Sequence, residues 1–318
     1  MATLFETRLC GDDHPMTADE LIAAAGDADV LVSSITDRID AALIERLPRS
    51  LRLIAQFGNG FDNIDIEAAY AAGLMVTNTP SVLTEDTADM AVTLMLALPR
   101  RLVEGAGVLE RDGRWPGWSP NWMLGRRLRG KALGIVGMGR IGTAVAMRAR
   151  AFGLNIHYYS RARRPAALEE RLEARYWPSL DGMLEEVDIV SLHTPANRET
   201  FHILDRARLA RMRQDAFVVN VSRPELIEEL ALVEEIESGH LSGAALDVFD
   251  SHAGAVEPRL LALARAQKVI LTPHMASATL EARLEMGETV IVNIRAFFDT
   301  GQPPHRVLPE GKMRAAGG

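Results

Sequence analysis

The chain has 318 residues, enough for about two domains. Hydrophobic residues make up 47% and charged residues 25%, the balance of an ordinary globular protein, which excludes a collagen, a disordered tail and a disulfide scaffold. Lys plus Arg number 35 and Asp plus Glu 43, a net charge of −8, so no broad nucleic-acid face is expected; a local basic pocket is still allowed. A single cysteine, Cys10, excludes an intramolecular disulfide and a cysteine zinc cluster. The longest apolar run, 90–98, is interrupted by Thr93 and falls far short of the ~20 residues of a membrane span. The opening residues lack a basic n-region and an apolar h-region, and a reducing cytoplasm is the expected compartment.

Along the chain a βα rhythm recurs. Short apolar runs stand at Asp29-Val30-Leu31-Val32, Arg52-Leu53-Ile54-Ala55 and Leu74-Met75-Val76-Thr77. A second series covers 132–136, 155–159, 188–192, 216–220, 243–248 and 268–271. The runs are nearly continuous in apolar residues, as strands buried on both faces should be. Helical patterns lie between them, one over 224–238 stopped by Gly239. The alternation implies doubly wound parallel sheets of the α/β class. Between the series, 100–131 carries Trp115, Trp118 and Trp122 among Gly, Pro and Arg. Six strands follow it, enough for a dinucleotide-binding sheet. The stretch 279–299 reads as an amphipathic helix capped by Gly301 and ended by Pro303-Pro304, and is expected to pack back on the first lobe. The expected domains are therefore 1–98 plus 276–318, and 99–275 with the arm 100–131 included.

Gly137-Met138-Gly139-Arg140-Ile141-Gly142 matches G-x-G-x-x-G, after an expected strand and at the start of an expected helix. Gly137 permits the turn, Gly139 lets the backbone approach a pyrophosphate, and Gly142 lets helix and strand pack closely. The helix N-terminus favours the phosphate charge. The second strand ends at Ser160, 18 residues after Gly142, where NAD-binding sites usually place an acid for the ribose 2′-hydroxyl. Here a hydroxyl is followed by Arg161, Arg163 and Arg164. That favours the 2′-phosphate of NADP, with NAD as the alternative.

Two further strand ends carry Val221-Ser222-Arg223 and Thr272-Pro273-His274-Met275-Ala276-Ser277. Arg can hold a carboxylate with two parallel hydrogen bonds. His can donate a proton as hydride arrives at a carbonyl carbon. The Glu pairs Glu169-Glu170, Glu185-Glu186, Glu228-Glu229 and Glu234-Glu235 read as solvated helix faces, and no metal-binding motif stands out.

With Phe57-Gly58-Asn59-Gly60-Phe61-Asp62-Asn63-Ile64-Asp65, the glycine loop, Asn220-Val221-Ser222-Arg223, Leu246-Asp247-Val248-Phe249 and Thr272-Pro273-His274, the chain resembles the D-isomer-specific 2-hydroxyacid dehydrogenases, glyoxylate/hydroxypyruvate reductase branch. The resemblance implies a flavodoxin-like substrate lobe, a Rossmann NAD(P)-binding lobe, an active site in the cleft, and a homodimer. It implies that amides near Asn59 and Gly60 hold a substrate carboxylate, that Arg223 clamps the substrate and that His274 donates the proton. The residue matching Trp122 reaches toward the partner's substrate site, or else simply packs the dimer. The cofactor contacts expected are Gly137, Gly139, Arg140, Ile141, Gly142, Ser160, Arg161, Thr194, Pro195, Val221, Ser222, Asp247 (beside the nicotinamide) and Ala276. The implied activity is reduction of a small 2-oxo acid. The alternative is a weakly active relative that binds dinucleotide and serves as an interaction module.

Three departures accompany the resemblance. The family's catalytic Glu, 29 residues after its Arg, falls on His252, with Asp250 and Glu257 as the other candidates for its role. The Arg is followed by Pro224 rather than Gly, which bears on how Arg223 is aimed. The family also opens with a strand and helix ahead of the part matching 9–21. Either the start lies upstream or the substrate lobe lacks a middle strand.

Overall fold

The computed structural model describes residues 3–11, 14–252 and 254–309, with the side chains of Asp112 and His252 outside the described set. The chain divides into two compact units, Met1–Leu83 with Thr279–Gly318, and Thr84–Ala278.

The smaller unit begins with α1 (Ala18–Ala25), β1 (Val30–Ser34), α2 (Ala41–Arg46), β2 (Leu53–Phe57), α3 (Ile66–Ala71) and β3 (Met75–Thr77). Each helix starts on a side-chain cap: Thr17 accepts from Glu20, Asp40 from Leu43 and Asp65 from Ala68. Such caps satisfy first-turn amides that have no partner within the helix.

The larger unit runs through α4 (Thr84–Ala97), α5 (Leu102–Asp112), β4 (Ala132–Val136), α6 (Arg140–Ala151), β5 (Asn155–Tyr159), α7 (Ala166–Leu172), β6 (Arg175–Tyr176), α8 (Leu180–Leu184), β7 (Ile189–Leu192), α9 (Arg206–Arg211) and β8 (Phe217–Asn220). It continues through α10 (Glu229–Glu237), β9 (Gly243–Leu246), a hairpin of β10 (Ser251–His252) with β11 (Ala255–Val256), α11 (Pro258–Arg265) and β12 (Val269–Leu271). The chain then returns to the smaller unit with α12 (Leu280–Thr300) and β13 (Arg306–Val307).

The small sheet has the order β1-β2-β3-β13, with β13 antiparallel to β3. Alternation along β2 sends Leu53 and Ala55 to Val290 and Ile294 of α12, while Ile54 joins Leu21, Leu43 and Ala69. The large sheet is parallel throughout, in the order β12-β9-β8-β7-β4-β5-β6. Leu133, Ile135, Ile156 and Val219 face one layer; Val136, Val190, Val218 and Leu246 face the other. Chain order reverses between β4 and β7, the switch point where open α/β sheets bind ligands. Among the described residues no helix is long and apolar enough to cross a membrane.

Three features differ from the sequence expectation. Helix α4 belongs to the larger unit, so the unit boundaries fall at 83/84 and 278/279 rather than 98/99 and 275/276. Its Ala88, Ala91, Val92 and Met95 share a core with Val145 and Ala149 of α6, and Arg148 bridges to Glu85 and Asp89. The run 224–238 is not one helix. Ile227 is extended and forms a bridge with Leu204, which separates a 3₁₀ turn (Pro224–Leu226) from α10. The two-residue strand β6 adds a seventh strand to the sheet.

Glu229 opens α10, and its carboxylate accepts the Asp250 N–H at 2.8 Å, at the root of the β10–β11 hairpin. Burial, with Asp250 and Glu257 nearby, pushes its carboxyl up to about 7. The folded pKa exceeds the ordinary 4.5, so the folded protein holds this proton more tightly than the unfolded chain. Stability is therefore lost as pH rises from 4.5 through 7. Glu229→Gln keeps the acceptor and removes the charge. Its melting temperature is expected to exceed the parent's at pH 8, by an effect on the order of 1–3 kcal/mol, and to match it at pH 4.5. Parallel melts at both pH values check this; equal values at pH 8 would refute it.

Candidate active site

The turn between β4 and α6 is built around contacts only glycine permits. Gly137 has φ +97°, and a Cβ there would lie 2.6 Å from the His193 carbonyl oxygen. At Gly142 a Cβ would lie 2.2 Å from the Gly137 carbonyl oxygen. Gly139 is different: a Cβ there meets no atom within 4 Å. The protein itself does not demand glycine at 139, whereas a ligand pressed against this backbone would. Gly139 is also the N-cap of α6, with no side chain capping the helix and no acid in its first turn. Arg140, Ile141 and Gly142 form that turn, so the positive helix end stays open to an anion. Thr194 and Pro195 follow β7 on the opposite side of the switch point. These residues fit a dinucleotide pyrophosphate.

The loop after β5 holds the next group of expected contacts. Ser160 Oγ accepts the Met138 N–H at 2.8 Å, tying the loop to the glycine turn. The three arginines separate by role. Arg163 grips Glu169 through Nε and Nη2, one edge of the guanidinium, and Tyr158 donates to the same carboxylate at 2.5 Å. That grip holds the Glu169 carboxyl well below the usual range, while burial pushes the Tyr158 hydroxyl up to about 12. Arg164 Nε donates to the Met138 carbonyl at 2.6 Å. Arg161 is exposed and pairs with exposed Glu199 at 3.2 Å, a contact of little energetic weight. Thus Arg164 meets Ser160 at Met138, Arg161 is the exposed chain neighbour of Ser160, and Arg163 serves the fold.

The carboxyl ends of β8, β9 and β12 lie side by side. Asn220, wholly buried, shapes the turn after β8: its side chain accepts the Ser222 N–H at 3.0 Å and donates to the Arg223 carbonyl at 2.9 Å. Arg223 is extended (φ −144°, ψ 144°), the conformation favoured before a proline. Pro224 takes the first position of the 3₁₀ turn, where no backbone donor is needed. The proline is therefore accommodated without distorting Arg223. Val221 is buried.

Asp247, directly after β9, has no solvent exposure. Its carboxylate accepts from Thr272 Oγ1 at 2.6 Å, Met275 N–H at 2.9 Å and Ala276 N–H at 2.8 Å. Its backbone carbonyl accepts the His274 N–H at 2.9 Å. His274 itself has φ +51°, a costly backbone for a non-glycine residue that only its surroundings can enforce. Asp247 and Ala276, both expected at the cofactor, are thus bonded to each other, and the exposed His274 is held by Asp247. The side chain of His252 lies outside the described residues. Glu257, one alternative for its role, caps α11 by accepting the Leu260 N–H at 2.8 Å. Asp250 gives its backbone N–H to Glu229.

In the smaller unit, Asn59 and Gly60 lie on the loop after β2, with Asn59 exposed. The arm after α5 is also accounted for. Trp122 stacks on Trp115 with centroids 5.8 Å apart, over a cavity of about 400 Å³ lined by Arg100, Arg101, Leu102, Val108, Leu109 and Met123.

The model of the D-isomer specific 2-hydroxyacid dehydrogenase NAD binding domain matches residues 92–276, more than half of the chain. The protein belongs to that family. It is an oxidoreductase that uses a nicotinamide dinucleotide. Its relatives include the glyoxylate reductase of Korarchaeum cryptofilum, 44% identical over 96% of this chain and 90% of that protein. A D-isomer specific 2-hydroxyacid dehydrogenase from Polaromonas sp. JS6 66 superposes with a TM-score of 0.85 at 41% identity, covering 93% of this chain and 90% of the other. The NADPH-dependent glyoxylate/hydroxypyruvate reductase of Sinorhizobium meliloti, solved with NADP and malonate, superposes at 0.78 with 34% identity, covering 92% and 87%.

The glycine loop, Arg223 and His274 all follow the carboxyl ends of strands of the large sheet. The hydrogen-bond roles of Asn220 and Arg164 are set by folding, and two expected solvated glutamates are not solvated: Glu169 is buried under Arg163 and Tyr158, and Glu229 is half-buried against Asp250. Asp247→Asn removes an acceptor from the His274 turn. The expected result is a fall in kcat of tenfold or more (~1.4 kcal/mol or more) with NADPH affinity nearly unchanged. A variant that loses NADPH binding but keeps kcat would return Asp247 to the cofactor.

Proposed function

We propose that this dehydrogenase reduces a small 2-oxo acid of the glyoxylate or hydroxypyruvate type to the D-2-hydroxy acid, with NADPH preferred over NADH. The observation that carries the reading is the row of Arg223, Asp247 and His274 at adjacent strand ends, in the sheet that bears the glycine loop. A dinucleotide held at the glycine loop would supply hydride for the carbonyl carbon. His274 gives its proton to the carbonyl oxygen, so hydride and proton together make the alcohol. Arg223 offers a two-pronged cation to the substrate's carboxylate and carbonyl. The amides of Asn59 and Gly60 suit the carboxylate.

Preference for NADPH is supported by Ser160, Arg161 and Arg164, since the loop has no acid to repel a 2′-phosphate. The Sinorhizobium meliloti reductase, solved with NADP, agrees in kind. NADPH oxidation at 340 nm with glyoxylate, hydroxypyruvate and phenylpyruvate tests the reading. The expected kcat/KM is roughly tenfold to a hundredfold higher for NADPH than for NADH, the worth of a charge-assisted contact. Ser160→Asp should reverse the ratio. Equal values would overturn the preference, and no turnover with any 2-oxo acid would overturn the reaction.

His252 takes the role of the family's acid partner to His274, a reading supported by Glu257 being committed to α11. A carboxylate favours the protonated imidazole more than a second imidazole does. His252→Glu is expected to raise kcat near pH 7.5 and carry the alkaline limb of the kcat/KM profile to higher pH. An unchanged profile, with loss of activity in Asp250→Asn, would move the role to Asp250.

The protein forms a homodimer through α5 and the arm. Among the described residues of α5 none is buried, and Leu102, Val103, Leu109 and Leu124 stand exposed with Trp115 and with Trp118, 82% exposed. Apolar surface of this kind marks an interface, and aromatics are enriched at interface cores. Light scattering at micromolar concentration should give about twice the 34.8 kDa chain mass; a monomer would refute the dimer.

A further inference from the structure

The loop after β2 has its carbonyls pinned from behind. The Gly58 carbonyl accepts the Thr79 N–H at 2.9 Å, the Asn59 carbonyl accepts Asn78 Nδ2 at 2.8 Å, and the Gly60 carbonyl accepts Gln56 Nε2 at 3.2 Å. No cis peptide occurs among the described residues. In a trans peptide the C=O and the next N–H point opposite ways. Pinning these three carbonyls therefore turns the amides of Asn59, Gly60 and Phe61 away from Thr79, Asn78 and Gln56. Among the described residues none of these three amides has an acceptor. Successive amides left open in this way can together form a concavity for an anion.

The pins are themselves held. Asn78, nearly buried, has its carbonyl bonded by Asn293 Nδ2 of α12 at 3.1 Å, and its own N–H donates to the His305 carbonyl at 3.2 Å. Asn293, wholly buried, accepts the His305 N–H at 3.2 Å. Gln56 is locked by Ser33 Oγ at 2.7 Å and donates to Asn63 Oδ1 at 2.8 Å. Gln56 and Asn293 are buried carboxamides engaged at both oxygen and nitrogen, so Gln56 cannot rotate to release the Gly60 carbonyl, and Asn293 fixes the backbone from which Asn78 reaches the Asn59 carbonyl.

We propose that Asn78, backed by Asn293 and assisted by Gln56, is a positioning residue for the substrate carboxylate: it orients the peptide planes of 58–61 so that Asn59, Gly60 and Phe61 present a three-amide nest. The inference rests on the reduction of a 2-oxo acid and adds Phe61 and the carboxamides to it. Asn78 touches no substrate. It acts through the Asn59 carbonyl.

Asn78→Asp keeps the shape and loses the donor, and Asn78→Ser shortens the side chain should the charge prevent folding. For each, KM for glyoxylate, kcat, KM for NADPH and the thermal shift given by malonate with NADPH present are compared with the parent. Either variant should raise KM for glyoxylate about tenfold, leave kcat within roughly twofold and KM for NADPH unchanged, and lose most of the malonate shift. An unchanged KM for glyoxylate overturns the inference, as does a fall in kcat with a matching rise in KM for NADPH, the mark of general loosening. If the parent turns over no 2-oxo acid but malonate stabilises it more than the variants, the nest stands and the reaction falls. If malonate shifts parent and variants alike, or neither, the nest falls.

Discussion

The buried carboxylate of Asp247 is the constraint on which the chemistry of the larger unit depends. A carboxylate out of water is costly unless its lone pairs are taken up. Here three donors take them up, and all three come from the turn that follows β12. The requirement to satisfy one buried anion thus fixes the path of five residues, including the left-handed backbone of His274. Because β9 lies between β8 and β12, the same residue sits between the ends that carry Arg223 and His274. Its N–H also bonds the Asn220 carbonyl at 2.9 Å, and Asn220 shapes the Arg223 turn.

Each unit prepares for an anion with backbone rather than side-chain charge, and by a different device. In the larger unit the start of α6 is left open, with glycine at the cap and no acid in the first turn. In the smaller unit the amides belong to no helix, and carboxamides orient them from behind. Both devices present N–H groups at fixed angles and need no reorganisation when charge arrives. A protein of net charge −8 can thereby hold anionic ligands locally.

Local charge is spent economically. Arg163 is taken up by Glu169, which Tyr158 also bonds, while Arg164 reaches the Met138 carbonyl beside Ser160 and Arg161 keeps only an exposed pairing with Glu199. Glu257 caps a helix and Asp250 lends only its backbone to Glu229. Neighbours in sequence with the same charge take different duties because burial and partner differ.

The elements legible in the sequence were those whose cause is local. The six main strands of the large sheet are apolar runs. The glycine turn is a spacing of three small residues, and Arg223 and His274 stand directly after strands, where a parallel sheet presents its ligands. The roles of Asp247, Asn78, Gln56 and Glu229 were not legible. Asp247 bonds residues 25 to 29 positions away, Asn78 bonds Asn59 19 positions away, and Asn293 reaches Asn78 across 215. Nothing about an Asn or an Asp in a sequence says which distant amide or carbonyl it will meet. The same holds for α4, whose apolar face fits either unit as a pattern and was assigned by its packing on α6. The sequence by itself determined the fold class and the glycine turn, and placed Arg223 and His274 just after strands, because periodicity and glycine sterics act within a few residues. Only the tertiary structure decided which carboxylate holds the histidine turn, which arginine is spare and which carboxamides aim the loop after β2, because a buried polar group takes whatever partner the packed fold brings within hydrogen-bond reach.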